Sequence, residues 1–192
     1  MRVFVQTGSR RAAEVVREHR DGRRREAGFT LLEIMVVVAL IGILAAVTVP
    51  SWIRESRKGR GDSEINAMFA EIATKEEQYK VDNGVYLAAT TCPSSPSSAG
   101  IDFNATCVTT GSAWASLRVN APESKIRCTY VVTAGAAGAT LTPPTGFTVA
   151  NQPVGGWYYV VGTCDLDGVS TTNSTFFQSS TDTIIQKLNY GS

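Results

Sequence analysis

The sequence predicts an α+β protein in which a long N-terminal helix packs on a small antiparallel sheet. Three observations lead to this prediction. An apolar run begins at Phe29, and an amphipathic pattern of helical period continues it. Short strand-like runs, separated by Gly, Pro and Asp turns, fill the C-terminal half. Four cysteines, all between residues 92 and 164, suit a body that disulfides pin together.

The charges of the 192-residue chain are unevenly distributed, although its net charge is only +1. Residues 1–28 hold eight arginines and four acidic residues, so this head carries a net charge of +4. The rest of the chain holds 10 of the 18 basic and 13 of the 17 acidic residues, a net charge of −3. A body without surplus positive charge does not favour nucleic-acid binding. The sequence does not decide whether a nucleic acid is a partner.

The apolar run of residues 29–49 contains one charged residue, Glu33. As a helix it would be about 31 Å long, which is enough to cross the hydrocarbon core of a bilayer. A cleavable secretory signal and a buried core helix are the two alternatives, and both are usually shorter. Arginines before the run favour a cytoplasmic N-terminus by the positive-inside rule. The excess of positive charge on that side is modest, because four basic residues follow the run: Arg54, Arg57, Lys58 and Arg60.

Glu33 is the most informative residue of this run. A carboxylate at the centre of a membrane costs about 2.5–3.5 kcal/mol, and less near the interface. Glu33 is therefore either a shallow snorkelling charge or a charge that awaits a positive partner. Residues 29–49 contain no basic residue, so a partner must come from outside the run. A cut before Phe29 would create one, because it would expose a new α-amino group.

The segment Gly28-Phe29-Thr30-Leu31-Leu32-Glu33, with its apolar run ending at Pro50, resembles the prepilin signature of type IV pilins and type II secretion pseudopilins. The resemblance covers residues 23–86. It implies that a membrane peptidase cuts after Gly28 and methylates the amine of Phe29. It also implies that Glu33 pairs with the α-amine of a neighbouring subunit during assembly. A subunit of this kind is structural, so we expect neither enzymatic activity nor a cofactor.

The resemblance implies four segments. Residues 1–28 would be a cleaved basic leader, 29–50 a transmembrane and filament-core helix, 51–86 an amphipathic helix, and 87–192 the periplasmic or extracellular head. The expected partners are further copies and other pilins in a helical filament, the prepilin peptidase and an inner-membrane assembly platform. The precursor would span the bacterial inner membrane once, with its N-terminus in the cytoplasm. After assembly we expect a surface pilus, or alternatively a periplasmic pseudopilus.

The helical region contains several interruptions. Pro50 removes a backbone donor and Gly42 weakens the helix, so we expect residues 43–49 to extend in a filament while they stay helical in a membrane. Gly59-Arg60-Gly61 predicts a bend, and Asn83-Gly84 predicts the helix end. The apolar residues after Pro50 predict a face that packs on the sheet; they are Ile65, Met68, Phe69, Ile72 and Tyr79. We expect Lys75, Glu76, Glu77 and Lys80 to form a solvated face.

The cysteines are Cys92, Cys107, Cys128 and Cys164. Two disulfides are favoured over free thiols, and over a zinc site because the only histidine is His19. Three pairings are possible, and the shorter loops favour Cys92–Cys107 with Cys128–Cys164.

The body predicts strands over residues 126–133, 146–150, 157–162, 174–178 and 183–188, after an irregular loop over 88–113. Asp165-Leu166-Asp167-Gly168 resembles the start of a calcium loop but lacks the later acidic ligands. A turn is therefore favoured there, and a calcium site at Asp165 and Asp167 is a weak alternative. The body contains no histidine and no nucleophile or phosphate-binding motif, so nothing in it predicts catalysis.

Overall fold

The computed structural model describes residues 29–166 and 172–191, and these form one long helix, two short helices and five strands. The elements are α1 (Leu31–Asn83), β1 (Ala89–Cys92), α2 (Phe103–Cys107), α3 (Ala113–Leu117), β2 (Cys128–Gly135), β3 (Trp157–Cys164), β4 (Ser174–Ser179) and β5 (Asp182–Leu188). The predicted α+β class is confirmed. The chain divides into two compact units, one ending at Gly42 and one beginning at Ile43.

Helix α1 is one uninterrupted helix of 53 residues. The prediction that Gly59-Arg60-Gly61 interrupts it is therefore wrong, and the helix also continues through Gly42 and Pro50. Gly61 has a different purpose, because a Cβ atom there would collide with the side chain of Leu166. That glycine allows close packing rather than a break. The helix ends at Asn83, as predicted, and Gly84 follows with a φ of +79°.

The predicted apolar face of α1 forms the centre of the core. Ile65, Met68, Phe69 and Ile72 are buried, and Tyr79 packs against them at the edge. Phe69 meets Tyr130 of β2 edge to face, with 6.3 Å between the ring centroids. A glycine at position 162 of β3 leaves room for the side chains of Ile65 and Phe69. The helix is thus held on the sheet by close apolar packing.

The five strands form one sheet in the order β1-β2-β3-β4-β5, and all neighbours are antiparallel. Strands β2 and β3 pair over their full length, from Cys128 opposite Cys164 to Gly135 opposite Trp157. Four of the five predicted strands correspond to β2, β3, β4 and β5. The sheet is fully sequential because each strand folds back on the one before it.

Two predictions for the body are wrong. Residues 146–150 are not a strand: Gly146 has a φ of +92°, and Phe147 turns inward to stack on Phe177 at 5.2 Å. The side-chain amide of Gln186 bonds both the N–H and the carbonyl of Thr148, replacing a strand partner. Residues 88–113 are also more regular than predicted, because they contain β1 and α2.

Two disulfides join the elements of this body. Cys92–Cys107 ties β1 to α2, and Cys128–Cys164 crosses from β2 to β3. These are the two pairs that close the shorter loops. Their sequence separations are 15 and 36 residues, so each removes considerable freedom from the unfolded chain.

Candidate assembly site

The N-terminal part of α1 presents an apolar surface with no cover among the described residues. An 18-residue window within this helix has a mean hydropathy of 2.7, and none of it is buried. By length and composition the helix can cross a membrane. The large exposed apolar residues begin at Phe29 and continue to Ile53. Such a surface favours contact with lipid or with other protein, because exposing so large an apolar area to water is energetically unfavourable.

The first turn of α1 fixes the position of Glu33. The N–H of Glu33 donates to the hydroxyl of Thr30 at 3.2 Å and to the Thr30 carbonyl at 3.1 Å. Thr30 thus caps the helix and Glu33 is its third residue, the spacing of a capping box. A negative side chain in a first turn is also favoured by the helix dipole. The cap therefore holds the Glu33 backbone one turn from Phe29.

The carboxylate of Glu33 is exposed and forms no ion pair with any residue in the described ranges. Its surroundings on the helix are apolar, from Phe29 and Leu31 before it to Ile34 and Val37 after it. The side chain is therefore a single negative charge on an apolar surface, and any positive group placed near it would be strongly attracted once water is removed.

The other residues singled out in the sequence lie in several places. Gly42 and Pro50 are on the same helix as Glu33, and the four cysteines are in the body. Gly28 and Asp167 lie outside the described residues. Asp165 follows β3, and no cluster of three or more potential metal-ligating side chains occurs among residues 29–166 and 172–191.

A comparison with protein-family models matches residues 23–49 to the prokaryotic N-terminal methylation motif. The chain carries this methylation motif. The matched residues include Gly28, Phe29 and Glu33 and end just before Pro50, so they coincide with the capped turn and the exposed apolar helix.

One third of the chain is homologous to a type IV pilin and to type II secretion pseudopilins. It is 38% identical over 63 residues to the type IV wide pilus major component PilA4 of Thermus thermophilus, covering 33% of this chain and 47% of that protein. It is 40% identical over 63 residues to the type II secretion system core protein G of Vibrio cholerae, covering 33% and 42%. The core protein G of Pseudomonas aeruginosa is 42% identical over 67 residues, covering 33% and 44%.

These alignments span less than half of each relative. The similarity therefore concerns a third of this chain, and the part that is located, the methylation motif, lies at residues 23–49. No solved structure matches the chain. The body beyond α1 has to be interpreted from its own contacts.

Two buried carboxylates on α1 were not predicted as important. Glu64 is almost inaccessible to solvent, and its two oxygens each lie 2.8 Å from the N–H of Arg127. One of them also accepts from the N–H of Cys128 at 2.8 Å and from the hydroxyl of Tyr130 at 3.0 Å. Burial raises the pKa of Glu64, and these hydrogen bonds oppose the rise. The side chain thus pins α1 to the start of β2.

Glu76 was predicted to lie on a solvated face, and this is wrong because the residue is fully buried. One of its oxygens accepts from the N–H of Leu87 at 3.0 Å, which fastens the segment between α1 and β1. The other oxygen has no hydrogen-bond partner in the described part of the chain. Burial raises its pKa to about 7, with a smaller contribution from the neighbouring charge of Glu77.

The apolar stripe of α1 does not by itself single out either carboxylate, because both are polar residues beside it. The available signal was their spacing. Glu64 lies four residues before Met68, and Glu76 lies four residues after Ile72, so both share the face that packs on the sheet. Their hydrogen bonds to strand and loop N–H groups give them a structural purpose in holding α1 on the body.

Proposed function

We propose that the chain is the structural subunit of a type IV pilus-like filament, assembled through the N-terminal part of α1. One observation carries this proposal: a capped turn places an exposed carboxylate, Glu33, next to Phe29 at the start of an uncovered apolar helix. The methylation motif over residues 23–49 and the relatives named as pilus and secretion-system components support it. No enzymatic activity forms part of the proposal.

In this proposal a prepilin peptidase cuts the precursor between Gly28 and Phe29 on the cytoplasmic side and methylates the new amine of Phe29. Residues 1–28 are the leader that is removed, and residues 29–50 span the inner membrane once. The body, residues 51–192, then lies outside the cytoplasm. Two disulfides in the body agree with an oxidising compartment.

The Phe29 amine and Glu33 form the assembly contact. A spanning helix changes its surroundings little when it moves from lipid to a bundle of similar helices, because both are apolar. A charged pair supplies the selectivity that apolar contact lacks, since an unpaired buried charge is strongly unfavourable. The carboxylate of each incoming subunit would therefore meet the amine of a neighbour at one axial position, which fixes the register of the filament.

The deciding experiment replaces Glu33→Gln, which keeps the shape of the side chain and removes its charge. We expect cleaved, methylated and membrane-inserted subunits that fail to form filaments, measured by mass spectrometry and electron microscopy. Glu55→Gln is the matched control, because Glu55 lies on the same helix, is exposed and makes only a 4.0 Å contact with Lys58. Normal filaments from the Glu33→Gln chain would overturn the proposed contact.

Assembly also gives a prediction for residues 43–49, which lie between Gly42 and Pro50. They are helical in the isolated chain. We expect them to extend in the filament, where Pro50 and Gly42 weaken the helix. Hydrogen exchange should then be faster at these amides in filaments than in micelles, and equal protection in both would contradict the expectation.

The second candidate is a pseudopilin of a type II secretion system, which the similarity to core protein G favours. Both candidates use the same N-terminal helix, so the contact at Glu33 does not separate them. A strain that lacks the gene would separate them, if surface fibres and secreted proteins are both examined. We expect loss of fibres, whereas loss of secretion with intact fibres would establish the pseudopilin.

A further inference from the structure

A cavity of about 290 Å³ opens beside residues 57–61 of α1, next to the residue before β2. Three arginines line it, Arg57 and Arg60 from α1 and Arg127 from the residue before β2, and Asp165 is the acidic residue among the lining. Ser98 adds a hydroxyl at the rim. Arginine presents a planar fork of donors that fits phosphate oxygens, so Arg60 and Arg127 on one cavity suit a phosphate-bearing ligand.

The backbone around this cavity is firmly held. The N–H of Arg127 donates to both oxygens of buried Glu64, and its carbonyl accepts from Ser97 at 2.9 Å. Gly61, the glycine that allows close packing against Leu166, lies in the cavity wall. The backbone that carries Arg127 is thus fixed by its own N–H and carbonyl groups, and its position in the cavity wall does not depend on its guanidinium group.

The cavity lies just beyond the apolar surface of α1. The large exposed apolar residues that directly precede the cavity on α1 are Trp52, 74% exposed, and Ile53. Tryptophan is enriched at the level where a bilayer meets water. Arg57 and Arg60 follow by five and eight residues, or about 8 and 12 Å along the helix. Lipid phosphates lie within roughly 5–8 Å of the hydrocarbon edge, so these side chains can reach them.

The charge around the helix supports the same ligand. Residues 51–60 contain Arg54, Arg57, Lys58 and Arg60 against one acidic residue, Glu55. In the proposed topology these charges follow the membrane span on the outward side, where positive charge works against the orientation rule. A favourable interaction with anionic lipid would explain why the segment is basic, because each such residue near an anionic surface contributes to binding.

We propose that this cavity binds the phosphate of an anionic phospholipid in the outer leaflet, which holds the body against the membrane before assembly. The lipid source rests on the proposed membrane-anchored precursor. The phosphate would accept hydrogen bonds from Arg60 and Arg127, and the acyl chains would follow the exposed apolar residues toward Trp52. A neutral headgroup with a choline cation would be attracted less, because its own positive charge faces the arginines.

The experiment measures binding of dioctanoyl-phosphatidylglycerol and dioctanoyl-phosphatidylcholine to the full chain in neutral detergent micelles, by native mass spectrometry. We expect phosphatidylglycerol to bind more tightly, and the double variant Arg60→Gln/Arg127→Gln to bind it about thirtyfold more weakly. Lys75→Gln/Arg118→Gln is the control. It removes the same charge from another cavity, between α1 and α3, and should leave lipid affinity unchanged.

Each other outcome overturns the proposal. Equal binding of the two lipids, or equal losses in the two double variants, would show that charge at this cavity selects nothing. Inorganic phosphate that competes as strongly as the lipid would assign the cavity to free anions. Unchanged lipid affinity with lost filament assembly in Arg60→Gln/Arg127→Gln would assign it to a second copy of the chain.

Failure of the proposed filament function gives a different result from failure of this inference. Binding in micelles concerns single subunits and requires no assembly. The Glu33→Gln chain should therefore retain full lipid affinity even where it forms no filaments. A thermal unfolding curve for each variant checks that Arg60→Gln and Arg127→Gln leave the body folded, since the bonds that hold Arg127 are made by its backbone.

Discussion

The two ends of helix α1 have opposite surroundings although they belong to one continuous helix. Near the N-terminus Ile41 is 59% exposed, whereas Ile72 in the second half is completely buried against the sheet. The sequence pattern explains the difference, because residues 29–49 are apolar all round and residues 61–83 are apolar on one face. One half has its partner within the chain, and the other must find its partner outside.

The acidic residues of the helix show the same division. Glu64 and Glu76 are buried and bonded to backbone N–H groups of the body, whereas Glu33 is exposed on an apolar surface. A buried carboxylate that has donors holds two elements together. An exposed carboxylate without a partner on an apolar surface can instead pair with a positive group of another molecule. The comparison separates residues that stabilise the fold from the residue that we propose serves assembly.

The largest expected effect compares two isoleucines. Ile72→Ala should lower the free energy of unfolding by about 2–5 kcal/mol, because it opens a cavity in the core. Ile41→Ala should change it by less than about 0.5 kcal/mol, since the residue has no cover in the described chain. Urea unfolding of the full chain in detergent, followed by the fluorescence of buried Trp114 and Trp157, measures both. Similar losses for the two variants would break the comparison.

The second prediction compares two glutamates. Glu64→Gln should lower the stability of the body by about 1–3 kcal/mol, because its amide would turn a donor toward the donors of Arg127, Cys128 and Tyr130. Glu33→Gln should leave the same unfolding curve unchanged. The reverse order is expected for filament assembly. A Glu64→Gln chain as stable as the original would show that its hydrogen bonds contribute nothing net.

The apolar parts of this fold could be predicted from the sequence because they depend on local period. The core face of α1, its end at Asn83 before Gly84 and four of the five strands follow from patterns within a few residues. The same holds for the exposed helix that carries Glu33. Each of these features is set by neighbours in the chain, which a sequence displays directly.

The remaining features depend on contacts between distant residues. Glu64 is defined by donors 63–66 positions away, and the loop around Phe147 by Gln186. Helix propensity alone predicts that Gly61 weakens the helix. The structure shows that its missing side chain instead makes room for Leu166. The basic cavity combines α1 with the start of β2. Tertiary contact reverses or replaces local preference at these places, and no pattern along the chain shows which residues will meet.

The third prediction concerns pH, and it tests how a partly satisfied carboxylate differs from the fully bonded Glu64. Burial raises the pKa of Glu76 from its ordinary value near 4.5 to about 7. The folded chain therefore holds this proton more tightly than the unfolded chain, so stability should fall as pH rises between about 4.5 and 7. A single proton changes stability by at most about 1.4 kcal/mol per pH unit.

Glu76→Gln should flatten this dependence, because a neutral amide has no charge to bury. The pKa of Glu64 is also raised, so Glu64 contributes a slope of the same sign. That slope remains in both the original chain and the Glu76→Gln chain. Urea unfolding at pH 5, 6, 7 and 8 gives the difference between the two. A dependence that is equally steep after the substitution would exclude Glu76 as its source.

The smallest expected effect concerns Asp62, where the packed half of α1 begins. Its carboxylate accepts from the ammonium of Lys187 at 2.8 Å and from the hydroxyl of Tyr190 at 2.6 Å, which ties β5 and the residues after it to the helix. The Tyr190 bond to this carboxylate raises the pKa of the phenol to about 12. Asp62→Asn should lower stability by only about 1 kcal/mol, because both partners are partly exposed to water.

Glu55→Gln, seven residues earlier on α1, should have no measurable effect, since its contact with Lys58 is long and largely exposed. The pair of variants places the boundary between the two halves of the helix. Spectrophotometric titration of the tyrosines gives an independent check, because Asp62→Asn should return one phenol toward an ordinary pKa. If Asp62→Asn matched Glu55→Gln in stability and left that titration unchanged, the packed half would have to begin further along, at Glu64 and Ile65.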